Sequence, residues 1–191
     1  MKLIVGLGNP GSVHLNNRHN LGFMALDHFS THYQFEDWKI KFDGMFAAKL
    51  FGSEKIILVK PQTYMNLSGS CVAKFKLFFK VSEDDIFVIY DDIDLELGHI
   101  KFKQGGGDAG HKGVRSISLN LGTKDFNRLR VGIGRPRTKE EVSSFVLSNF
   151  SKAEKDKILA LIQKLCEDFE EIIQKLSLIH ISEPTRPERI G

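Results

Sequence analysis

The chain has 191 residues and a mass of 21.6 kDa, with 41% hydrophobic and 27% charged residues. These values suit one well-buried globular domain and exclude collagen-like, coiled-coil and disordered architectures. Two cysteines 95 positions apart, Cys71 and Cys166, form no C-x-x-C pair, which argues against a disulfide scaffold or structural zinc and for a reducing, cytoplasmic setting. Net charge is +3 but unevenly placed. Residues 99 to 139 carry ten Lys or Arg against two Asp, a local net of +8 that leaves −5 for the rest. Such asymmetry is expected either of a solvated basic face or of a surface for a phosphate-bearing partner.

In chain order, Lys2 to Leu7 reads as a buried strand running into a glycine turn, too short an apolar run for a secretory leader. Leu21, Met24, Ala25, His28 and Phe29 recur at helical steps and predict a helix over 20–33. Met45 to Phe51 and Lys55 to Lys60 flank Gly52-Ser53 as a hairpin that Pro61 ends. A helix over 68–80, a strand over 85–90 and a half-exposed strand over 99–103 follow, then a glycine-rich loop over 105–110. Beyond it come a short helix over 112–121 and a strand over 126–133. Ser151 and Glu154 form a capping box opening a final helix, whose apolar stripe runs from Ile158 to Leu176. The alternation predicts a single-domain, three-layer αβα sandwich on a mixed, mainly parallel sheet, spanning residues 1–176. Residues 177–191, with Pro184 and Pro187, read as a disordered or non-native tail. No run is long and apolar enough to span a membrane.

Several motifs admit more than one reading. Gly6-Leu7-Gly8-Asn9-Pro10-Gly11 matches G-x-G-x-x-G, but the acidic residue a dinucleotide site needs about 20 positions on is missing from a second strand, so a turn that positions Asn9 competes with nicotinamide or flavin binding. His28 and His32 have the spacing of zinc ligands without the glutamate of H-E-x-x-H. Asp91-Asp92-Ile93-Asp94 at a strand end could hold a divalent cation or supply one orienting carboxylate. Gly105 to Lys112 lacks the G-K-[ST] of a phosphate loop. His19, at the junction of an irregular loop and a helix, is a candidate general base if a carboxylate such as Asp91 accepts its other ring proton. Asn9 and Asn66 sit at neighbouring turns.

Taken together, Lys2 to Gly11, Arg18-His19-Asn20-Leu21-Gly22, Thr63 to Gly69, Asp91 to Leu95, Gly105 to Gly113 and Arg128 to Gly134 closely resemble bacterial peptidyl-tRNA hydrolases in order and spacing. The resemblance implies a monomeric, cofactor-free and metal-independent esterase that cleaves the peptide from the terminal ribose of tRNA. It implies His19 as the base that activates water and Asp91 as its orienting carboxylate. Asn9 and Asn66 would hold the peptide backbone and the oxyanion. Tyr64 and Met65 would wall the ester, with His111 and Lys112 as further substrate contacts. Lys103 and Arg130 would clamp a tRNA phosphate, with Arg128 as a weaker candidate, and 142–150 would cover the peptide channel. Two positions depart from the family pattern: Lys112 stands where asparagine is usual, and Asp108-Ala109 where His-Gly is usual. Lys112 could donate to the oxyanion or salt-bridge Asp91. These departures keep open a non-catalytic RNA-binding member of the same fold.

Overall fold

The computed structural model describes residues 1–182. Seven strands form one sheet in the order β2-β3-β4-β1-β5-β7-β6: β1 (Lys2–Gly6), β2 (Lys39–Lys41), β3 (Gly44–Phe51), β4 (Glu54–Pro61), β5 (Ile86–Asp92), β6 (Ile100–Gln104) and β7 (Asn127–Gly132). The four central strands, β4, β1, β5 and β7, are parallel. Antiparallel pairings add β3 and then β2 at one edge and β6 at the other.

Parallel strands covered on both faces must be apolar on both sides, because successive side chains point to opposite faces. Accordingly Ile4 and Ile89 pack with helices α1 (Leu21–His32) and α5 (Lys152–Ser182) in one core, through Leu26, Phe29, Ile158 and Ile162. Leu3, Val5 and Val88 pack on the opposite face with α2 (Ser68–Phe79) and α3 (Lys112–Leu121), through Val72, Phe75, Val114 and Ile117. Each such fully buried aliphatic side chain stabilises the fold by about 1.5–3 kcal/mol relative to exposure. The three-layer αβα reading therefore holds. Among the described residues no helix is long and apolar enough to cross a membrane.

Four local features differ from the sequence expectation. The three-residue strand β2 was not anticipated, since Lys-Ile-Lys is too short to display alternation and relies on its ladder to β3. The segment from Ser12 to Asn20 contains two 3-10 turns, Ser12–His14 and Arg18–Asn20, rather than irregular chain. A five-residue helix, α4 (Val142–Val146), lies within the segment expected to cover the channel. Finally, α5 continues to Ser182 instead of ending at 176, because no glycine or proline interrupts its hydrogen-bond ladder there. The rest of the expected tail, 183–191, lies outside the described residues.

The start of α1 approaches the sheet closely because glycine occupies the contact. A Cβ on Gly22 would lie 2.3 Å from the Leu7 nitrogen and 2.5 Å from the Ile89 carbonyl oxygen. This contact brings the turn that carries His19 against the end of β5. We expect Gly22→Ala to destabilise the fold by roughly 1–3 kcal/mol through overpacking against backbone that cannot yield. A lowered denaturant midpoint with unchanged slope measures this.

Candidate active site

The C-terminal ends of the parallel strands open onto a cleft of about 710 Å³. Ligand crevices in open α/β sheets form at this edge. Asn9, following β1, lines it, as do Tyr64, Met65 and Asn66, following β4. So do His19, Asp91 at the end of β5, and His111 and Lys112 at the start of α3. All eight expected catalytic and substrate residues thus meet in one place.

Asp91 is the centre of the arrangement. It is 2% exposed, and its carboxylate meets His19 Nδ1 at 2.9 Å (Oδ2) and 3.1 Å (Oδ1) and His111 Nε2 at 3.0 Å (Oδ1). The two imidazole centroids are 4.8 Å apart. His111 Nδ1 accepts the backbone N–H groups of Gly113 (3.1 Å) and Val114 (3.3 Å), capping α3. A nitrogen that accepts carries no proton, so the ring proton of His111 sits on Nε2 and is donated to Asp91. His19 donates from Nδ1 to the same carboxylate, which leaves its Nε2 as the acceptor. Burial by itself would raise the Asp91 pKa, but the adjacent His19 and His111 outweigh it and hold the carboxyl well below the usual carboxylate range.

The amide of Asn9 is oriented with equal definition. Its Oδ1 accepts the Met65 N–H at 2.8 Å, so its Nδ2 is the donor available to the cleft. Asn20 locks the backbone beneath it: Asn9 N–H donates to Asn20 Oδ1 at 2.9 Å, and Asn20 Nδ2 donates to the Asn9 carbonyl at 2.8 Å. Sequence reasoning missed this role of Asn20, although its place beside His19 was the available signal. Met65 is buried, whereas Tyr64 is 68% exposed and Asn66 is also exposed at the rim.

Lys103 and Arg130 lie outside the cleft, on β6 and β7. Arg130 Nε donates to Asp92 Oδ2 at 2.6 Å, and Asp92 does line the cleft, so the two regions adjoin through this pair. The ammonium of Lys103 rests against Gly106 of the glycine loop. Arg128 belongs to a different category: it is buried, donates to the carbonyls of Gly107 (2.6 Å) and Lys124 (3.1 Å), and stacks 4.5 Å from the Phe126 ring centroid. It braces the glycine loop rather than facing solvent, which corrects its candidacy for RNA. With Arg135 paired to Asp94, the basic surface is narrower than the local charge of +8 suggested.

Other readings resolve on geometry. Lys112 is exposed at the cleft and makes no ion pair with Asp91, whose ionic partners are His19 and His111. His28 and His32 face each other at 6.5 Å and His28 binds Gln163 at 2.6 Å, as surface helix residues do. The Asp91 to Asp94 carboxylates are separately engaged by histidine and arginine partners. Among the described residues, His19, Asp91 and His111 alone form a group of metal-ligating type, their ligand atoms within 4.8 Å of one another. His19 Nδ1 and His111 Nε2 meet the Asp91 carboxylate at 2.9 and 3.0 Å, and with the His111 proton on Nε2 the group is engaged as a donor–carboxylate–donor hydrogen-bond array.

A sheet-end cleft holding a histidine–carboxylate pair beside an oriented amide donor is the arrangement of a hydrolytic enzyme built on an αβα sandwich. Residues 3–183 match the peptidyl-tRNA hydrolase family. The peptidyl-tRNA hydrolase of Listeria welshimeri is 45% identical over 174 residues, covering 91% of this chain and 94% of the relative. That of Dinoroseobacter shibae is 49% identical over 154 residues, covering 81% of this chain but only 65% of the relative's length. Among solved structures, peptidyl-tRNA hydrolase from Acinetobacter baumannii superposes with a TM-score of 0.85 at 33% identity, covering 97% of each chain. An arginine-to-glutamine mutant from the same organism gives 0.87 at 34% identity, covering 93% of this chain and 91% of the other. The chain belongs to the peptidyl-tRNA hydrolase family.

The depressed Asp91 pKa carries a sign. A folded value below the unfolded one stabilises the protein above the unfolded value, about 4, and that contribution is lost as pH falls through the folded value. Asp91→Asn removes the linkage. Urea unfolding between about pH 3 and 7 should show a shallower acid limb for the variant than for the wild type.

Proposed function

We propose that the protein hydrolyses the ester between peptide and the 3'-terminal ribose of tRNA, with His19 as general base. The observation that carries this reading is the His19–Asp91 pair, which fixes the Nδ1 proton and leaves Nε2 to face the cleft. In this scheme His19 Nε2 takes a proton from water as its oxygen attacks the ester carbonyl carbon. The carbonyl electron pair moves onto oxygen, and the amide of Asn9, assisted by Asn66, donates to that oxyanion. Collapse expels the ribose oxygen, which takes the proton back from the His19 imidazolium, giving free tRNA and a peptide carboxylic acid. Asp91 keeps its charge throughout and stabilises the imidazolium, the role of the buried carboxylate in serine-protease triads. His111 gives Asp91 a second hydrogen bond and ties it to α3. Lys112, exposed at the rim, is suited to donate to a substrate carbonyl.

Met65 and Tyr64 supply apolar walls beside the ester. Lys103 and Arg130 would take a tRNA phosphate, and exposed Lys101, Arg115 and Lys124 broaden the basic surface for the rest of the acceptor stem. We propose a monomeric, single-domain cytoplasmic enzyme over residues 1–176 and the helical extension of α5, working without cofactor.

His19→Ala should abolish release of tRNA from N-acetyl-aminoacyl-tRNA while leaving tRNA affinity within about twofold. Wild-type turnover should persist in excess EDTA. Binding with no hydrolysis by freshly folded wild type would instead favour an RNA-binding protein of the same fold. Lys103→Gln and Arg130→Ala should each weaken tRNA binding and lower the slope of log affinity against log salt by about one. An unchanged slope removes that residue from the phosphate site.

A further inference from the structure

We infer that Arg18 is a positioning residue which ties the cleft-lining segment 142–150 to the turn carrying His19, so that the apolar wall of the cleft keeps a fixed place relative to the imidazole. The inference rests on the hydrolytic reading for its kinetic consequence but on geometry for the tie itself.

Helix α4 is the weak element of the cleft. It has five residues and buries none of them, yet Val142 and Val146, with Leu147 just beyond, form one side of the cleft. A helix of this length has no stability of its own, so its position must come from outside contacts. Phe145 and Val146 pack in part against the core and Asn17 Nδ2 donates to Asn149 Oδ1 at 2.7 Å, while Arg18 supplies the densest set of polar contacts. Its side chain is nearly buried, and its guanidinium donates to Ser148 Oγ at 2.6 Å, to the Asn149 carbonyl at 2.8 Å and to Glu154 Oε1 at 2.9 Å. The same group lies 4.4 Å from the Phe145 ring centroid and 5.5 Å from that of Phe150. Backbone bonds run alongside, from Arg18 N–H to the Ser148 carbonyl (3.0 Å) and from Phe150 N–H to the Asn16 carbonyl (3.1 Å).

Burying a guanidinium is costly unless it is paired and fully hydrogen-bonded, and Arg18 Nε remains without a partner. That cost is borne one residue from His19, and the groups it engages belong to the far wall of the cleft. Arg18 touches neither Asp91 nor the imidazole, so its effect on the reaction passes through the position of the 142–150 segment. Glu154 is the anchor at the other end. Its Oε1 also accepts the Ser151 N–H at 2.9 Å in the capping box of α5, so Glu154→Gln preserves an acceptor for the cap while removing the charge that holds Arg18.

The test compares wild type, Glu154→Gln and Arg18→Lys by amide hydrogen exchange and by steady-state kinetics on N-acetyl-aminoacyl-tRNA and on tRNA bearing a longer peptide. For both variants exchange over 142–150 should rise about tenfold while amides of β1 and β5 stay protected. KM for the longer peptide should rise about fivefold, with little change for the short one and kcat within about twofold. Lysine keeps the charge but not the planar fork, so Arg18→Lys should loosen the segment as Glu154→Gln does. Unchanged exchange over 142–150, exchange rising equally in the core strands, or a fall in kcat with KM unchanged would each overturn the inference. Should wild type fail to hydrolyse either substrate, the hydrolytic reading falls, and the exchange data still decide whether the tie exists.

Discussion

A single buried carboxylate organises the cleft. Asp91 sits at the end of β5, one of four parallel strands that terminate at the same edge, and it accepts hydrogen bonds from two imidazoles that arrive from different parts of the chain. One comes from the turn before α1 and the other from the cap of α3. Each imidazole is held at its second contact as well: His19 by a turn pressed onto the sheet at Gly22, and His111 by the first N–H groups of its own helix. The carboxylate is therefore a junction among β5, α1 and α3, and its ionisation is as much a structural requirement as a chemical one. Remove it and His19 loses the partner that fixes its tautomer, while His111, still capping α3, loses its tie to β5.

The capping of α3 by an imidazole extends this logic. Side-chain oxygens usually satisfy the first N–H groups of a helix. Here an unprotonated nitrogen does so, and it can accept only while its ring is neutral. Helix start, histidine tautomer and carboxylate geometry are thus one connected hydrogen-bond system rather than three separate ones. Asn9 follows a similar pattern, with both ends of the Asn20 amide spent on its backbone and its own oxygen spent on Met65.

Much of this could be read from the sequence, and the parts that could not share a cause. Burial made several elements legible by imposing period on them: alternation in the half-exposed β6, and a three-to-four step in α1 and α5. Ser151 and Glu154 announced the start of α5 by chemistry alone, and the bonds form as expected. Asn9 and Asn66 could be placed near His19 and Asp91 because they stand beside glycine- or proline-marked turns, whereas the remaining residues of the cleft follow only from the resemblance to the family. What escaped were elements fixed by distant partners. The strand β2 exists through its ladder to β3, and the segment that includes α4 is met by a side chain well over a hundred residues earlier, Arg18, over the Phe145 ring and at the Asn149 carbonyl. Arg128 shows the limit of charge counting: in sequence it is one more cation in a basic stretch, but burial turns it into a brace for the glycine loop.

The two edges of the sheet have a bearing on how this surface can change. Both β2 and β6 present unpaired backbone groups, and both carry lysines, Lys39 and Lys41 on one and Lys101 and Lys103 on the other. Charged edge strands resist pairing with another chain, which is how soluble β-proteins avoid assembling edge to edge. On β6 the same lysines belong to the basic surface. Under the proposed function, protection of the edge and contact with tRNA phosphates would draw on one set of side chains there. On that same function, neutralising the lysines of β6 would weaken contact with tRNA and uncover a strand edge in the same step.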